Sequence, residues 1–159
     1  MNLQKLFEMQ RRLDEHIEKK HPRQEGEDRL AKKILALLVE IGELSNETRC
    51  FKYWSNKGPS DKNVILEEAA DVLHFLLSLG NDIGIDDYVP ILPPKTSSLE
   101  LQFIELFEYA RNAHKGTMWT FTFDTFVGLI EMLGFSWRML EKAYMKKYEE
   151  NIARQERGY

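Results

Sequence analysis

One apolar helical run, residues 35–47, constrains the fold of this chain more than any other segment. At about 100° per residue, the aliphatic positions here and just before it form one wide stripe, made of Leu30, Ile34, Leu37, Leu38, Ile41 and Leu44. Glu40 and Glu43 lie at the edge of that stripe, and Leu35 and Val39 cover most of the remaining circumference near Glu40. The pattern predicts a packed helix with no broad solvated face, whose partly buried carboxylates need partners.

A second helical run, residues 64–79, carries another acidic pair. Glu68 and Asp71 are three residues apart and therefore lie on one helix face, whereas the other sides are aliphatic. A short Gly-Pro connector joins the two runs, so we expect the helices to pack antiparallel and to bring Glu40 and Glu43 opposite this pair. Four clustered carboxylates require positive charge between them. The sequence therefore predicts a divalent metal site.

The composition limits the class of protein and of partner. The 159 residues, 43% of them hydrophobic, predict one domain spanning 1–159 with a core of its own. A formal net charge of −4 argues against binding to nucleic-acid polymers or to anionic membranes. Cys50 is the single cysteine, which excludes an internal disulfide and favours a reducing cytoplasm. No apolar run reaches about 18 residues, so we expect no membrane span and a cytoplasmic location.

Helical periodicity recurs along the chain and predicts an all-α bundle of five or six helices. Residues 88–98 contain three prolines and are predicted to form an irregular connector. Residues 112–123 alternate aromatic residues with threonines as a strand would, but the chain offers no partner strand. We therefore interpret 112–123 as a loop leading into a helix. Residues 99–110 are more apolar than one buried face requires, which predicts a homo-oligomer.

Two further segments contain candidate ligand contacts. The aromatic residues at 51, 53 and 54 either pack in the core or form a base-stacking platform, and Lys52 between them could reach a phosphate. In the last helix Lys147, Asn151 and Arg154 share one face and form a plausible anion-binding row. Most charges of this kind are solvated helix surface, so the alternative of a plain solvated face stays open.

The first helix, residues 3–20, is amphipathic in a strongly charged background. Gln10 and Asp14 are four residues apart and share a face near its apolar side. The simplest interpretation of the two side chains is a solvated polar pair, because both residue types are usually exposed.

The chemistry of the predicted ligands indicates the ion and the substrate class. Oxygen ligands select hard ions, so we expect Mg²⁺, with Mn²⁺ as the alternative. Mg²⁺ characteristically links protein carboxylates to substrate phosphates, which makes a nucleotide polyphosphate the leading substrate class. The four histidines form no zinc-ligand pairing. A di-iron bundle needs two Glu-x-x-His motifs, and this chain has only Asp71-Val-Leu-His74.

The acidic spacing resembles the metal signature of the all-α NTP pyrophosphatases, the superfamily of the MazG-like enzymes and the dimeric dUTPases. Glu40-x-x-Glu43 is followed, 25 residues after Glu43, by Glu68-x-x-Asp71. The surrounding sequence resembles the dimeric dUTPase branch over nearly the whole chain. Four segments carry the likeness: Leu6-Phe-Glu-Met-Gln-x-x-Leu-Asp14, Glu43-Leu-x-Asn-Glu-x-x-x-Phe-Lys-x-Trp54, Asp71-x-Leu-His-Phe-Leu-Leu-Ser78 and Asn151-x-x-Arg-Gln-x-x-Gly-Tyr159.

This resemblance implies a role for each matching residue. The Mg²⁺ ligands would be Glu40, Glu43, Glu68 and Asp71, and Glu40 would also orient or activate the attacking water. The nucleotide contacts would be Gln10, Trp54 and Asn151 to the uracil, Phe75 to the deoxyribose, and Lys52, Lys147 and Arg154 to phosphate oxygens. Family members work as dimers, so the resemblance also implies a homodimer in which tail contacts can cross the interface.

The resulting hypothesis is a hydrolase that converts dUTP to dUMP and pyrophosphate and also accepts dUDP. One alternative is a MazG-like pyrophosphatase for other or damaged nucleotides, which would be indifferent to the base. Another alternative, from a different class, is a catalytically silent helical binding module, which would show no Mg²⁺-dependent turnover.

Overall fold

The computed structural model of the chain describes residues 3–90 and 93–158. These residues form six α-helices and no β-strand, which confirms the all-α prediction. The helices are α1 (Leu3–Lys20), α2 (Arg29–Thr48), α3 (Lys62–Asp82), α4 (Leu99–Ala110), α5 (Gly116–Met132) and α6 (Trp137–Glu156). No helix in the described ranges has the length and apolar content needed to cross a membrane.

The ends of α2 direct the next helix back along it. Asp28 caps the first turn by accepting a hydrogen bond from the backbone N–H of Ala31 at 2.9 Å. At the other end, Arg49 adopts a left-handed conformation with φ of 58° and ends the helix. The chain then turns, and α3 runs antiparallel to α2, as expected. The ion pair between Lys33 and Asp82, at 2.7 Å, joins the start of α2 to the end of α3.

Helix α3 is the centre of the bundle. It packs against α1, α2, α5 and α6, and most of its side chains between Ile65 and Leu79 are buried. The carbonyl of Leu76 accepts a hydrogen bond at 2.7 Å from the indole N–H of Trp119, which is fully buried on α5. This bond satisfies the one polar atom of a large core side chain. The central position of α3 fixes the face that its acidic residues present.

Residues 112–123 are the segment for which the sequence-based prediction was wrong. We expected a loop leading into a helix, but only residues 112–115 lie before the helix: α5 begins at Gly116 and contains the aromatic stretch. The aromatic residues that follow helical spacing are fully buried, namely Trp119, Phe123 and Phe126. Thr122 donates its hydroxyl to the carbonyl of Met118 at 2.7 Å, so a residue that suggested a strand is satisfied within the helix. Burial of aromatic residues one turn apart outweighs the strand propensity of the segment.

The proline-containing segment between α3 and α4 is an irregular connector, as predicted, in the part that the structure describes; positions 91 and 92 lie outside that part. Gln102 of α4 holds it in place. Its buried amide donates to the carbonyls of Pro94 at 2.9 Å and Thr125 at 2.8 Å, and its side-chain oxygen accepts from the backbone N–H of Thr96 at 2.8 Å. These bonds tie the connector to α4 and α5 in one arrangement.

Exposed apolar side chains occur on the neighbouring helices α2, α4 and α5. Leu35 is 62% exposed and Val39 48% exposed, so our expectation that they leave α2 without a solvated face was wrong for the single chain. Comparable side chains on the other two helices are Leu101, Ile104 and Phe121. We call these five residues the apolar face. Large exposed apolar side chains that are grouped on neighbouring helices are typical of interaction sites.

Gly128 allows a test of the close contact between the connector and α5. A Cβ added there would lie 2.0 Å from the Pro94 carbonyl oxygen, so either the connector or α5 must move. We expect Gly128→Ala to lower the free energy of unfolding by about 3 kcal/mol. Urea denaturation followed by circular dichroism measures the effect.

Gly116→Ala is the matched control on the same helix, because an added Cβ at that position meets no atom within 4 Å. We expect its stability to change by less than about 1 kcal/mol. Equal destabilisation by the two variants would contradict the close approach of the connector to α5.

Candidate metal centre and nucleotide cleft

A cleft of about 1130 Å³ opens between α1, α2, α3 and α6. Its lining changes along α3 from acids through an aromatic pair to polar residues, in the order Glu68, Asp71, His74, Phe75, Ser78, Asn81 and Asp82. Because α2 is antiparallel, Glu40 lies beside the acids and Lys33 lies near Asp82. The cleft therefore has an acidic end and a mixed polar end, separated by His74 and Phe75.

Three carboxylates meet at the acidic end. Ligand oxygens of Glu40, Glu68 and Asp71 lie within 4.8 Å of one another, and all three residues are partly buried. Glu43 lines the same cleft but is exposed and is not part of this triad. The ammonium group of Lys147, on α6, lies 2.7 Å from Asp71. The predicted meeting of the acids of α2 and α3 is therefore observed for three of the four residues.

The pKa values of the triad show that its negative charge is poorly compensated. Burial, with Asp71, Glu43 and Glu68 nearby, raises the pKa of Glu40 to about 7. Burial and the charge of Asp71 also raise the pKa of Glu68. The pKa of Asp71 is raised by burial although the hydrogen bond and charge of Lys147 oppose the rise. The Lys147 ammonium group and the Arg154 guanidinium group both oppose the rise at Asp71, yet the pKa values of all three carboxyl groups stay raised, so the site favours an additional cation.

The donor set fits a hard divalent ion. All three groups of the triad offer carboxylate oxygens, they are close enough to share one centre, and they lie on two packed helices rather than on loops. Hard ions such as Mg²⁺ and Mn²⁺ take this kind of ligand. No nitrogen or sulfur donor belongs to the group, within the part of the chain that the structure describes.

A buried polar network adjoins the acidic end. The side-chain oxygen of Gln10 lies 2.7 Å from His74 Nδ1 and accepts a hydrogen bond from the Tyr144 hydroxyl at 3.1 Å. Its Nε2 donates to Asp14 at 2.9 Å, and the Ser78 hydroxyl donates to the other oxygen of Asp14 at 2.7 Å. Our interpretation of Gln10 and Asp14 as a solvated pair was wrong, because Gln10 is only 3% exposed.

His74 is held neutral in this network. Burial lowers the pKa of its imidazole to about 3, and its ring stacks on Tyr144 with centroids 4.1 Å apart. A neutral imidazole with a proton on Nδ1 can donate to Gln10. In that tautomer, His74 and Tyr144 both direct donors at the oxygen of Gln10, which leaves its amide nitrogen to face Asp14.

The comparisons with known proteins agree with this geometry. A family profile described as dUTPase matches residues 2–159. A search of curated proteins found no significant match. The chain belongs to the dUTPase family. It is an enzyme of the all-α dUTPase type, a dUTP diphosphatase that hydrolyses dUTP to dUMP and pyrophosphate. The family is generally dependent on a divalent metal, and the acidic triad supplies ligands of the kind required.

The cleft of this dUTPase brings together most of the predicted site residues. Those that line it are Gln10, Glu40, Glu43, Glu68, Asp71, Phe75, Lys147, Asn151 and Arg154. Lys52 and Trp54 are not among the lining residues. Lys52 bonds to Asn46, and Trp54 is 65% exposed beside Tyr53. Tyr159, which closes the last motif, lies outside the described residues.

The sequence analysis missed Lys33, which lines the cleft, and Tyr144, which is fully buried behind it and donates to Gln10. Lys33 lies seven residues before Glu40, two helical turns away on the same face of α2. Tyr144 lies three residues before Lys147 on α6. Both could have been predicted from their helical spacing to Glu40 and Lys147, which the sequence analysis had already identified.

The neutral state of His74 predicts a pH dependence of stability. Below about pH 6.5 the unfolded chain protonates this histidine, whereas the folded protein does not until about pH 3. The unfolded state then binds more protons, so stability is lost as the pH falls through this window. Relative to His74→Gln, we expect the wild-type free energy of unfolding to decline by about 1.4 kcal/mol per pH unit below about pH 6. Urea denaturation of both proteins across that range measures this; parallel pH profiles would contradict a neutral His74.

Proposed function

We propose that this dUTP diphosphatase uses one or more Mg²⁺ ions, with Mn²⁺ as the alternative, held by Glu40, Glu68 and Asp71 with Glu43 beside them. The observation that carries the proposal is the triad, whose ligand oxygens lie within 4.8 Å of one another and whose Asp71 pairs with the ammonium group of Lys147. Clustered carboxylates of two packed helices are stable in the ionised state only with further positive charge. A divalent ion supplies it.

The chemistry divides between the ion and the side chains. When bound, the ion would polarise phosphoryl oxygens and offset the charge of the polyphosphate. Glu40 accepts a hydrogen bond from the attacking water and takes up its proton. The water oxygen forms a bond to phosphorus, and the phosphoanhydride bond between dUMP and pyrophosphate breaks. The leaving oxygen keeps the electron pair.

The remaining cleft residues would hold the nucleotide. Lys147 and Arg154 of α6 bind phosphate oxygens at the acidic end, where Lys147 already pairs with Asp71. Phe75, next along α3, packs against the deoxyribose. Gln10 and Asn151 contact the uracil. The proposal is supported by the position of Phe75 on α3, one turn after Asp71, as the sugar of dUTP follows its phosphates.

We further propose that the enzyme is a homodimer. The apolar face supplies the surface, because five large side chains on neighbouring helices are between 46% and 62% exposed in the single chain. Lys52 and Trp54 lie outside the cleft of their own chain, in an exposed aromatic segment beyond the end of α2. In a dimer they are free to serve the cleft of the partner, which reconciles their expected substrate contacts with their position.

The dimer is tested by placing a charge in the apolar face. Ile104→Lys would bury an unpaired ammonium group at the interface, so we expect the molar mass in solution to fall from two chains to one. Size-exclusion chromatography with light scattering measures the mass. Met139→Lys is the control, because Met139 is 41% exposed on α6 and is not part of the apolar face. If the Ile104→Lys variant is still a dimer, the interface does not include the apolar face.

The reaction is tested by product analysis with dUTP, dUDP, dTTP, dCTP and UTP, each with Mg²⁺ and with chelator. We expect dUMP to be released selectively from dUTP and dUDP, and chelator to abolish the release. Glu40→Gln should lower the rate by 100-fold or more, as on the order of 10²–10⁴ is typical for loss of a general base.

Glu149→Gln is the matched control for this assay, because Glu149 is exposed on α6 and does not line the cleft. We expect it to keep wild-type activity. Equal turnover of all five nucleotides would contradict the proposed uracil contacts and favour a MazG-like pyrophosphatase. Turnover that persists in chelator would rule out the metal centre.

A further inference from the structure

Helix α6 forms one wall of the cleft and is buried along only part of its length. Its fully buried side chains are Leu140 and Tyr144, and Tyr148 is its last residue that packs against the core, within the part of the chain that the structure describes. Asn151 and Arg154, which line the cleft, follow this point. Apolar packing therefore does not fix the last two turns of α6, and their position depends on polar contacts.

Hydrogen bonds join α6 to α1 at two levels. At the first level the Tyr144 hydroxyl donates to the side-chain oxygen of Gln10 at 3.1 Å. At the second level Nε2 of His21, the residue directly after α1, donates to the side-chain oxygen of Gln155 at 2.9 Å. Eleven residues separate the two levels on each of the two elements, or about 16 Å of helix. The two helices therefore run parallel, and the cleft-lining face of α6 lies between the two bonds.

The imidazole of His21 is presented by a fixed backbone. The His21 N–H donates to the Ile17 carbonyl at 2.8 Å and so extends the hydrogen bonding of α1. The His21 carbonyl accepts two hydrogen bonds from the Arg29 guanidinium group, both at 3.1 Å, and Arg29 also pairs with Glu18 at 2.7 Å. Pro22 further restricts the backbone of the residue before it. His21 is therefore suited to act as an anchor.

Arg154 is the neighbour of Gln155 on α6. Its guanidinium group pairs with Glu150 at 2.6 Å, one turn earlier on the same helix. That pair moves with α6 and does not by itself hold the helix against the rest of the protein. Gln155, by contrast, bonds to a residue outside α6, and both Gln155 and His21 line the cleft together with Arg154.

We propose that His21 and Gln155 are positioning residues for the reaction. Their hydrogen bond holds the end of α6 beside α1 and thereby keeps Arg154 at the cleft, where it binds a substrate phosphate. A helix end that is already fixed does not have to be ordered when dUTP binds, so less binding free energy is lost. This role rests on the proposed function, in which Arg154 contacts a phosphate oxygen.

Gln155→Ala removes the anchor. We expect KM for dUTP to rise about fivefold and kcat to change less than about twofold, because one hydrogen bond of ordinary strength is lost and Arg154 still reaches the phosphate once substrate is bound. His21→Ala should have the same effect, and the variant with both substitutions should have no larger one. Steady-state kinetics with dUTP and Mg²⁺ measures both constants.

Two further variants serve as controls. His21→Gln keeps an N–H donor near the position of the imidazole Nε2 and should restore KM to within about twofold of the wild-type value. Glu156→Ala changes the next residue of α6, which is exposed and does not line the cleft, and should keep the wild-type constants. Thermal denaturation establishes that every variant is folded.

Arg154→Ala shows whether the anchor acts through Arg154. We expect Gln155→Ala to raise KM in the wild-type background and to leave it unchanged in the Arg154→Ala background, because the contact that the anchor positions is already lost. Equal effects in the two backgrounds would overturn the proposal, since a general structural role does not depend on Arg154.

Amide hydrogen exchange tests the anchor without turnover. We expect the amides of residues 149–156 to exchange about fivefold faster in Gln155→Ala than in the wild type, and those of residues 137–148 to keep their rate. Alanine favours the helix more than glutamine does, so faster exchange reports the lost bond rather than a weaker helix. Unchanged exchange at residues 149–156 would overturn the proposed anchor.

The outcomes separate this proposal from the one on which it rests. Wild-type turnover of dUTP that does not depend on Mg²⁺, or an unchanged KM in Arg154→Ala, would overturn the proposed function. Faster exchange at residues 149–156 in Gln155→Ala with an unchanged KM would overturn the positioning role alone.

Discussion

The antiparallel packing of α2 on α3 is the interaction on which the rest of the structure depends. Leu37, Ile41 and Leu44 of α2 are fully buried, and α3 is the central helix against which α2 packs. Glu40 lies one residue from that stripe, so the packing of α2 brings it close to the acids of α3 despite the repulsion between their charges. Hydrophobic packing thus holds together carboxylates that would otherwise separate, and the raised pKa of Glu40 reports that cost.

The same pair of helices gives the cleft its direction. Because α2 and α3 run in opposite directions, the acidic end lies beside Glu40, and Lys33 pairs with Asp82 two turns away. Helix α1 adds Gln10 and Asp14 at the mixed end, where the network to Ser78 fixes the direction of each hydrogen bond. The cleft therefore joins an acidic end, suited to a metal ion and phosphates, to a polar end with directional hydrogen bonds on the far side of Phe75.

The parts of the fold and site that were predictable from sequence depend on local spacing. Pairs of acids three residues apart, on helices joined by a short connector, were expected to meet; Glu40, Glu68 and Asp71 do, whereas Glu43 stays exposed beside them. Gln10 was misinterpreted because its partners His74 and Tyr144 lie 64 and 134 residues away. The aromatic alternation of residues 112–123 concealed a helix, since burial in the assembled bundle decided its conformation. The position of Trp54 relative to the cleft depends on how the chain packs, which a motif does not specify.

The most direct test of the account is the anomalous diffraction of Mn²⁺ in crystals grown with a non-hydrolysable dUTP analogue. The account predicts manganese bound by oxygens of Glu40, Glu68 and Asp71, with the ammonium group of Lys147 moved from Asp71 to a phosphate oxygen. Manganese at another position, or a Lys147–Asp71 pair that persists beside the bound analogue, would contradict it.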